Sequence, residues 1–136
     1  MHIARKSAGG GLAAAATIAD AEQISVKFLE AILSDLKSAG FVISKKGIGG
    51  GYQLNQQANT LMLSDLIRAT NGPIALVPCV SLNYYEPCDI CPDESQCGLH
   101  DVMQQVRDAS LAILSTTSIQ DLITREDLRV KKKSKR

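Results

Sequence analysis

A chain of 136 residues, 45% apolar but only 4% aromatic and without Trp, is sized for one small domain with an aliphatic core of Leu, Ile, Val and Ala. A net charge of +1 does not by itself mark a nucleic-acid binder, and no apolar run is long enough for a membrane span or reads as a signal peptide. A cytoplasmic location is expected, and there structural disulfides are disfavoured.

The charge is unevenly spread. Six Lys/Arg stand against four Asp/Glu in residues 1–55 and three against ten in residues 56–128, while the last eight residues hold six bases and no acid.

Ile3-Ala4-Arg5-Lys6 reads as a helical turn ending at Gly9-Gly10-Gly11. It is too short to hold itself together in water, so it docks on something or belongs to a longer helix. Thr17 to Gln23 reads as a helix with Thr17 as N-cap. Ser25 caps the next, where Phe28, Leu29, Ile32, Leu33 and Leu36 make one apolar face before Gly40, a good C′ residue. Two short helices joined by a tight turn form a helix-turn-helix. Phe41-Val42-Ile43 and Tyr52-Gln53-Leu54 read as a hairpin with a Gly-rich tip.

Beyond a polar connector, Leu63, Leu66 and Ile67 mark a short helix closed by Asn71-Gly72-Pro73. A loop with all four cysteines follows, then a long helix from Leu99 to Leu114. Leu99, Val102, Met103, Val106, Ala109 and Ile113 share its apolar face, which the chain has too few other elements to bury, so a two-fold contact between copies is expected. Thr117-Ser118 caps a last short helix holding Ile119, Leu122 and Ile123, and the basic end is too charged to fold alone. The expected fold is mainly α with a small β-hairpin wing. Residues 1–55 form a winged helix-turn-helix, 56–98 a connector helix and cysteine-rich sensor loop, 99–128 the dimerisation helix and a short helix, and 129–136 a basic disordered tail.

A helix-turn-helix sets the N-terminal residues of its second helix against base edges. Those residues are Ser25, Val26, Lys27, Glu30 and Ala31, on the side away from Phe28, Leu29 and Ile32. Ser25 and Lys27 suit phosphate, and Glu30 can accept from a cytosine amino group. Phe28 counts with them as a DNA-contact candidate by its place in the motif. Gly47, Gly49, Gly50 and Gly51 permit positive φ and close backbone approach, with Lys45 and Lys46 supplying charge.

These residues carry a resemblance. Ile24-Ser25-x-x-Phe28-Leu29-Glu30-x-Ile32-Leu33-x-x-Leu36-x-x-Ala39-Gly40-Phe41-Val42, followed by Lys46-Gly47-x-x-Gly50-Gly51-Tyr52-x-Leu54, is similar to the IscR-like (Rrf-two) winged-helix transcription regulators. The resemblance runs from Thr17 to about Ile123. It implies a homodimer on a palindromic double-stranded DNA operator, acting as a repressor, with the Leu99–Leu114 helix as dimerisation element. Relatives open with a fuller first helix, so the first helix here is expected to be truncated, with weaker DNA contact. The family's wing arginine is Lys46 here, which keeps the charge without the bidentate fork.

The cysteines are spaced Cys79-x8-Cys88-x2-Cys91-x5-Cys97, with His100 three residues on. Four thiolates can hold a 2Fe–2S or 4Fe–4S cluster or a tetrahedral zinc. Only Cys88 and Cys91 form a zinc-type knuckle, which weakens zinc. The resemblance implies an iron–sulfur cluster on Cys79, Cys91 and Cys97, with 2Fe–2S ahead of 4Fe–4S, and with His100 or Cys88 as fourth ligand. Zinc or no metal at all are the alternatives.

The acidic neighbours Glu86, Asp89, Asp93 and Glu94 are expected to raise the thiol pKa values. Two other functions compete with cluster sensing: a cluster-free regulator answering to thiol oxidation or a small ligand, and a metal-binding interaction protein that no longer binds DNA. No Ser/His/Asp or paired-carboxylate arrangement points to an enzyme.

Overall fold

The computed structural model describes residues 1–133. Its elements are α1 (His2–Ala8), α2 (Ala15–Glu22), α3 (Val26–Ser38), β1 (Val42–Lys45), β2 (Gly51–Leu54), α4 (Leu63–Asn71), α5 (Gly98–Leu114) and α6 (Ile119–Lys133). Two 3-10 turns, Pro78–Val80 and Glu94–Gln96, lie in the cysteine loop. Helices α2 and α3 with the hairpin after them make the expected winged helix-turn-helix.

α1 is short, and it docks. Ala4 is buried, and the Ser7 hydroxyl accepts from the Leu54 N–H of β2 at 2.9 Å. Arg5 Nη2 donates to Glu126 at 3.1 Å and Asp127 at 2.7 Å, tying α1 to α6. α2 starts at Ala15 with Ala14 as an N-cap that makes no side-chain bond, so Thr17 lies inside the helix rather than capping it. The alanine run before Thr17 has strong helix propensity and carries the start upstream.

Gln23, at φ 53°, turns the chain into α3. There Ser25 Oγ accepts from the Phe28 N–H at 3.2 Å, an N-cap as expected. Phe41 N–H to Leu36 O at 2.9 Å and Gly40 N–H to Lys37 O at 3.0 Å close α3 in a Schellman motif.

The core has two parts. Leu29 and Leu33 on the back of α3 pack with Ile18 and Ala19 of α2 and with Ala13. Ala4, Leu61, Ile119 and Ile123 form the second cluster, flanked by Phe41, Leu54 and Leu66. Phe28 belongs to neither: it is 59% exposed, a departure from the predicted apolar face. It stands at the edge of the 3.6-residue stripe, where α2 no longer covers α3. The β-ladder pairs Val42 with Leu54 and Lys45 with Gly51, and Ala13 exchanges two 2.9 Å bonds with Tyr52, adding a one-residue third strand.

Ser118 and Asp121 form a capping box at the start of α6. The Ser118 N–H and hydroxyl donate to Asp121 Oδ2 at 2.8 and 2.6 Å, and the Asp121 N–H donates to Ser118 Oγ at 3.1 Å. α6 is longer than expected, because Arg129–Lys133 continue it instead of starting a disordered tail. Basic residues in a last turn complement the helix dipole, and Asp127 attracts Lys131 one turn on. Residues 134–136 of the expected tail lie outside the described residues.

Candidate nucleic-acid interface and metal centre

The face of α3 turned away from the core carries Ser25, Val26, Lys27, Phe28, Glu30 and Ala31, all exposed. Beside it the wing presents Lys45, Lys46 and Ile48, the last with its whole side chain in solvent. Ile48 is a contact candidate that sequence reasoning missed; the signal was an apolar residue between glycines at a hairpin tip.

The glycines divide by role. Gly47 and Gly49 hold positive φ, as expected of a sharp tip. Gly50 donates to Gly47 O at 2.9 Å, and a Cβ there would collide with the Lys45 carbonyl oxygen. Its missing side chain is therefore needed inside the turn, whatever else it touches.

The cysteine loop folds back on the start of α5. Cys79, Cys88, Cys91 and Cys97 are all half-buried free thiols lining one cavity of about 330 Å³, together with Glu86, Asp89, Glu94, Leu99 and His100. Cys97 is the N-cap of α5, its sulfur accepting from the His100 N–H at 3.4 Å. That bond pushes the Cys97 thiol pKa down against the opposing effect of burial. Burial first, then the Glu94 carboxylate, push the Cys79 thiol up. Burial and a hydrogen bond with Cys97 push Cys91 up.

The expectation that acidic neighbours raise every thiol is thus corrected. Asp93 spends its carboxylate on the Ser95 N–H and hydroxyl and on Gln96 Nε2, at 2.9, 2.6 and 2.8 Å. These bonds hold its own carboxyl below the usual range. Burial comes first at Cys79 and Cys91, with Glu94 second at Cys79, and the His100 N–H comes first at Cys97.

His100 supports a bound group. Its Nδ1 is buried and has no hydrogen-bond partner among the described residues. A buried ring nitrogen left without a partner is costly unless something fills the space it faces. With four thiols around the same cavity, the donor set fits an iron–sulfur cluster or a thiolate-bound metal.

α5 has no buried residue. Leu99, Val102, Val106, Ala109 and Ile113, spaced three and four apart, form an uncovered apolar stripe. Met103, expected in that stripe, instead lies half-buried on the side of Arg107, Leu111 and Leu114. The folded-back loop and α4 occupy that side, which a helical spacing pattern alone does not reveal.

The Rrf2 family model, described as an iron-dependent transcriptional regulator, matches residues 1–125. The chain belongs to the Rrf2 family. It is 39% identical over 97 residues to an rrf2-like HTH-type regulator of Rhodobacter capsulatus, covering 71% of this chain and 65% of that one. It is 30% identical over 127 residues to the HTH-type transcriptional regulator CymR of Bacillus subtilis, covering 93% and 83%. The solved structure of B. subtilis CymR, titled the global cysteine regulator, superposes with a TM-score of 0.69 at 28% identity, over 86% of this chain and 81% of that one. T. potens IscR, at 21% identity and a TM-score of 0.65 over 87% and 73%, shows the shared fold. As an Rrf2 chain the protein is a helix-turn-helix transcriptional regulator by kinship.

Proposed function

We propose that this Rrf2-family chain is a homodimeric repressor that reads a palindromic DNA operator and reports the state of an iron–sulfur cluster held in its cysteine loop. The observation that carries the reading is the buried His100 Nδ1, without a hydrogen-bond partner among the described residues, on a side chain that lines one cavity with all four cysteines.

Cys79, Cys91 and Cys97 would hold the group, with His100 or Cys88 completing the set. A bound cluster supplies an oxidisable, oxygen-labile centre. The chain's own residues do the coupling. Cys97 caps α5, so whatever fixes its sulfur fixes the first turn of that helix. Arg107 ties the Cys79 side of the loop to α5 by donating to Val80 O at 2.6 Å. The α5 stripe repeats at coiled-coil spacing, and pairing two copies through it sets the distance between their α3 helices. A loop that orders differently with and without the group biases that distance, and with it operator affinity.

In α3, Ser25 and Lys27 meet phosphate while Phe28, Glu30 and Ala31 face base edges. Lys45, Lys46, Gly47, Gly49 and Gly50 approach the adjacent backbone. Anaerobic purification with iron and sulfide analysis tests the sensor, since a colourless, iron-free protein would sink it. Operator binding titrated against salt tests the reader.

A second reading rests on the four free thiols that line one cavity. Thiols gathered in this way can serve a cluster-free regulator that answers to oxidation. In that case the colourless protein would lose or gain operator affinity on treatment with peroxide and recover with a thiol reductant.

A further inference from the structure

Three ligand-type atoms meet at one end of the thiol cavity. Cys79 Sγ, a Glu94 carboxylate oxygen and a His100 ring nitrogen all lie within 4.8 Å of one another. Glu94 is unlike the other acids of the loop, its side chain being only 26% exposed and that of His100 20%. Its Oε1 accepts from the Tyr85 hydroxyl at 2.9 Å, which orients the carboxylate and leaves Oε2 free. Oε2 stands 3.8 Å from His100 Nδ1, too far for a hydrogen bond.

The buried His100 Nδ1 therefore stands opposite a half-buried carboxylate oxygen across a gap longer than a hydrogen bond. An imidazolium–carboxylate pair would close to hydrogen-bond length, and a solvating acid would point outward. Ligand atoms each about 2 Å from one metal stand roughly 3–4 Å apart, a range that holds the 3.8 Å between Nδ1 and Oε2. The Tyr85 contact is of the kind that steers a ligating carboxylate from outside the coordination shell.

We propose that Glu94 is a metal ligand, joining Cys79 and His100 in a mixed sulfur–oxygen–nitrogen end of the metal centre. The proposal rests on the reading that the loop holds a metal. Thiolate with imidazole and carboxylate selects ferrous iron, zinc or cobalt(II) over the hard cations calcium and magnesium. A thiolate from Cys91 or Cys97, which line the same cavity, completes a four-coordinate set. The site thereby gains a ligand that the cysteine and histidine spacing does not contain.

The test uses the full-length protein, stripped of metal anaerobically and titrated with Co²⁺. The parent is expected to develop thiolate-to-cobalt charge-transfer absorption and the visible bands of a four-coordinate ion. Glu94→Gln keeps the Tyr85 contact and should weaken Co²⁺ binding by roughly a hundredfold, and Tyr85→Phe by about tenfold. Equal binding by Glu94→Gln and the parent overturns the proposal. Should Glu94→Gln lose its far-UV circular dichroism, Tyr85→Phe decides on the same titration, and unchanged binding overturns it.

Reconstitution with iron and sulfide separates the two readings. A parent and a Glu94→Gln variant that assemble the same cluster with the same visible spectrum leave the cluster and remove Glu94. A parent that binds Co²⁺ through Glu94 yet takes up no sulfide supports Glu94 and removes the cluster.

Discussion

Arg107 on α5 donates to the carbonyl oxygen of Val80 at 2.6 Å, one residue past Cys79. Val80 is 2% exposed and the Arg107 side chain 10%, so the bond is shielded from water. Arg107→Met keeps the stem packed and strands the carbonyl. The expected loss is about 1–3 kcal/mol of stability without metal. Urea unfolding would show it as a lower midpoint, with faster amide exchange around residues 78–82. A midpoint equal to the parent's would mean that the loop is held by other contacts.

In the wing, Lys46 is exposed beside a turn that the glycines keep sharp. If it neutralises one phosphate, Lys46→Ala weakens binding about equally for every DNA sequence and lowers the slope of log K against log salt by about one. Glu30→Ala should instead relax preference at one base pair and leave the slope alone. A slope unchanged by Lys46→Ala would place the wing off the DNA.

The two sides of α5 separate assembly from stability. Val102→Asp with Val106→Asp puts charge into the exposed stripe and should give monomers in sedimentation equilibrium, with the fold retained. Met103→Ala removes a half-buried side chain from the opposite side. It should leave the dimer intact and cost about 1–2 kcal/mol. The reverse pattern would move the interface to the other side of the helix.

Acid should weaken the α6 anchor. Bonds from the Ser118 hydroxyl and N–H lower the Asp121 pKa, and Arg5 lowers that of Asp127. A folded-state pKa below the unfolded one, about 3.9 for Asp, contributes stability above that value. The contribution fades as pH falls through the folded-state pKa. Thermal melts between pH 5 and pH 2.5 should therefore decline less steeply for Asp121→Asn than for the parent, whose neutral-pH stability is higher. Parallel declines would place the acid sensitivity in other carboxylates.

The helix-turn-helix was readable because its signals are local: Ser25 and Gly40 mark the ends of α3, and Leu29 and Leu33 mark its buried face. Errors came where a stripe has an edge. Phe28 and Met103 each lie within one helical step of residues that face the other way, and only the neighbouring elements decide which side they join. Arg129–Lys133 read as tail because charge was weighed without the helix already running before it. The cysteines and His100 were visible by type and spacing. Glu94 was not, since a loop has no period, and its nearness to Cys79 and His100 depends on backbone turns that spacing does not encode.

The tie between α1 and α6 bears on how the protein is made. Ala4 shares its cluster with Ile119 and Ile123, and Arg5 reaches residues 121 and 122 positions further along. A nascent chain that has just emitted the wing thus has the inner side of α1 and β2 bare, and it stays so until α6 leaves the ribosome. Contacts so distant in sequence slow folding and lengthen the time apolar surface is open to aggregation. A fragment cut after Asn55 would contain every residue proposed to meet DNA and lack Leu61, Ile119 and Ile123 of the second core cluster.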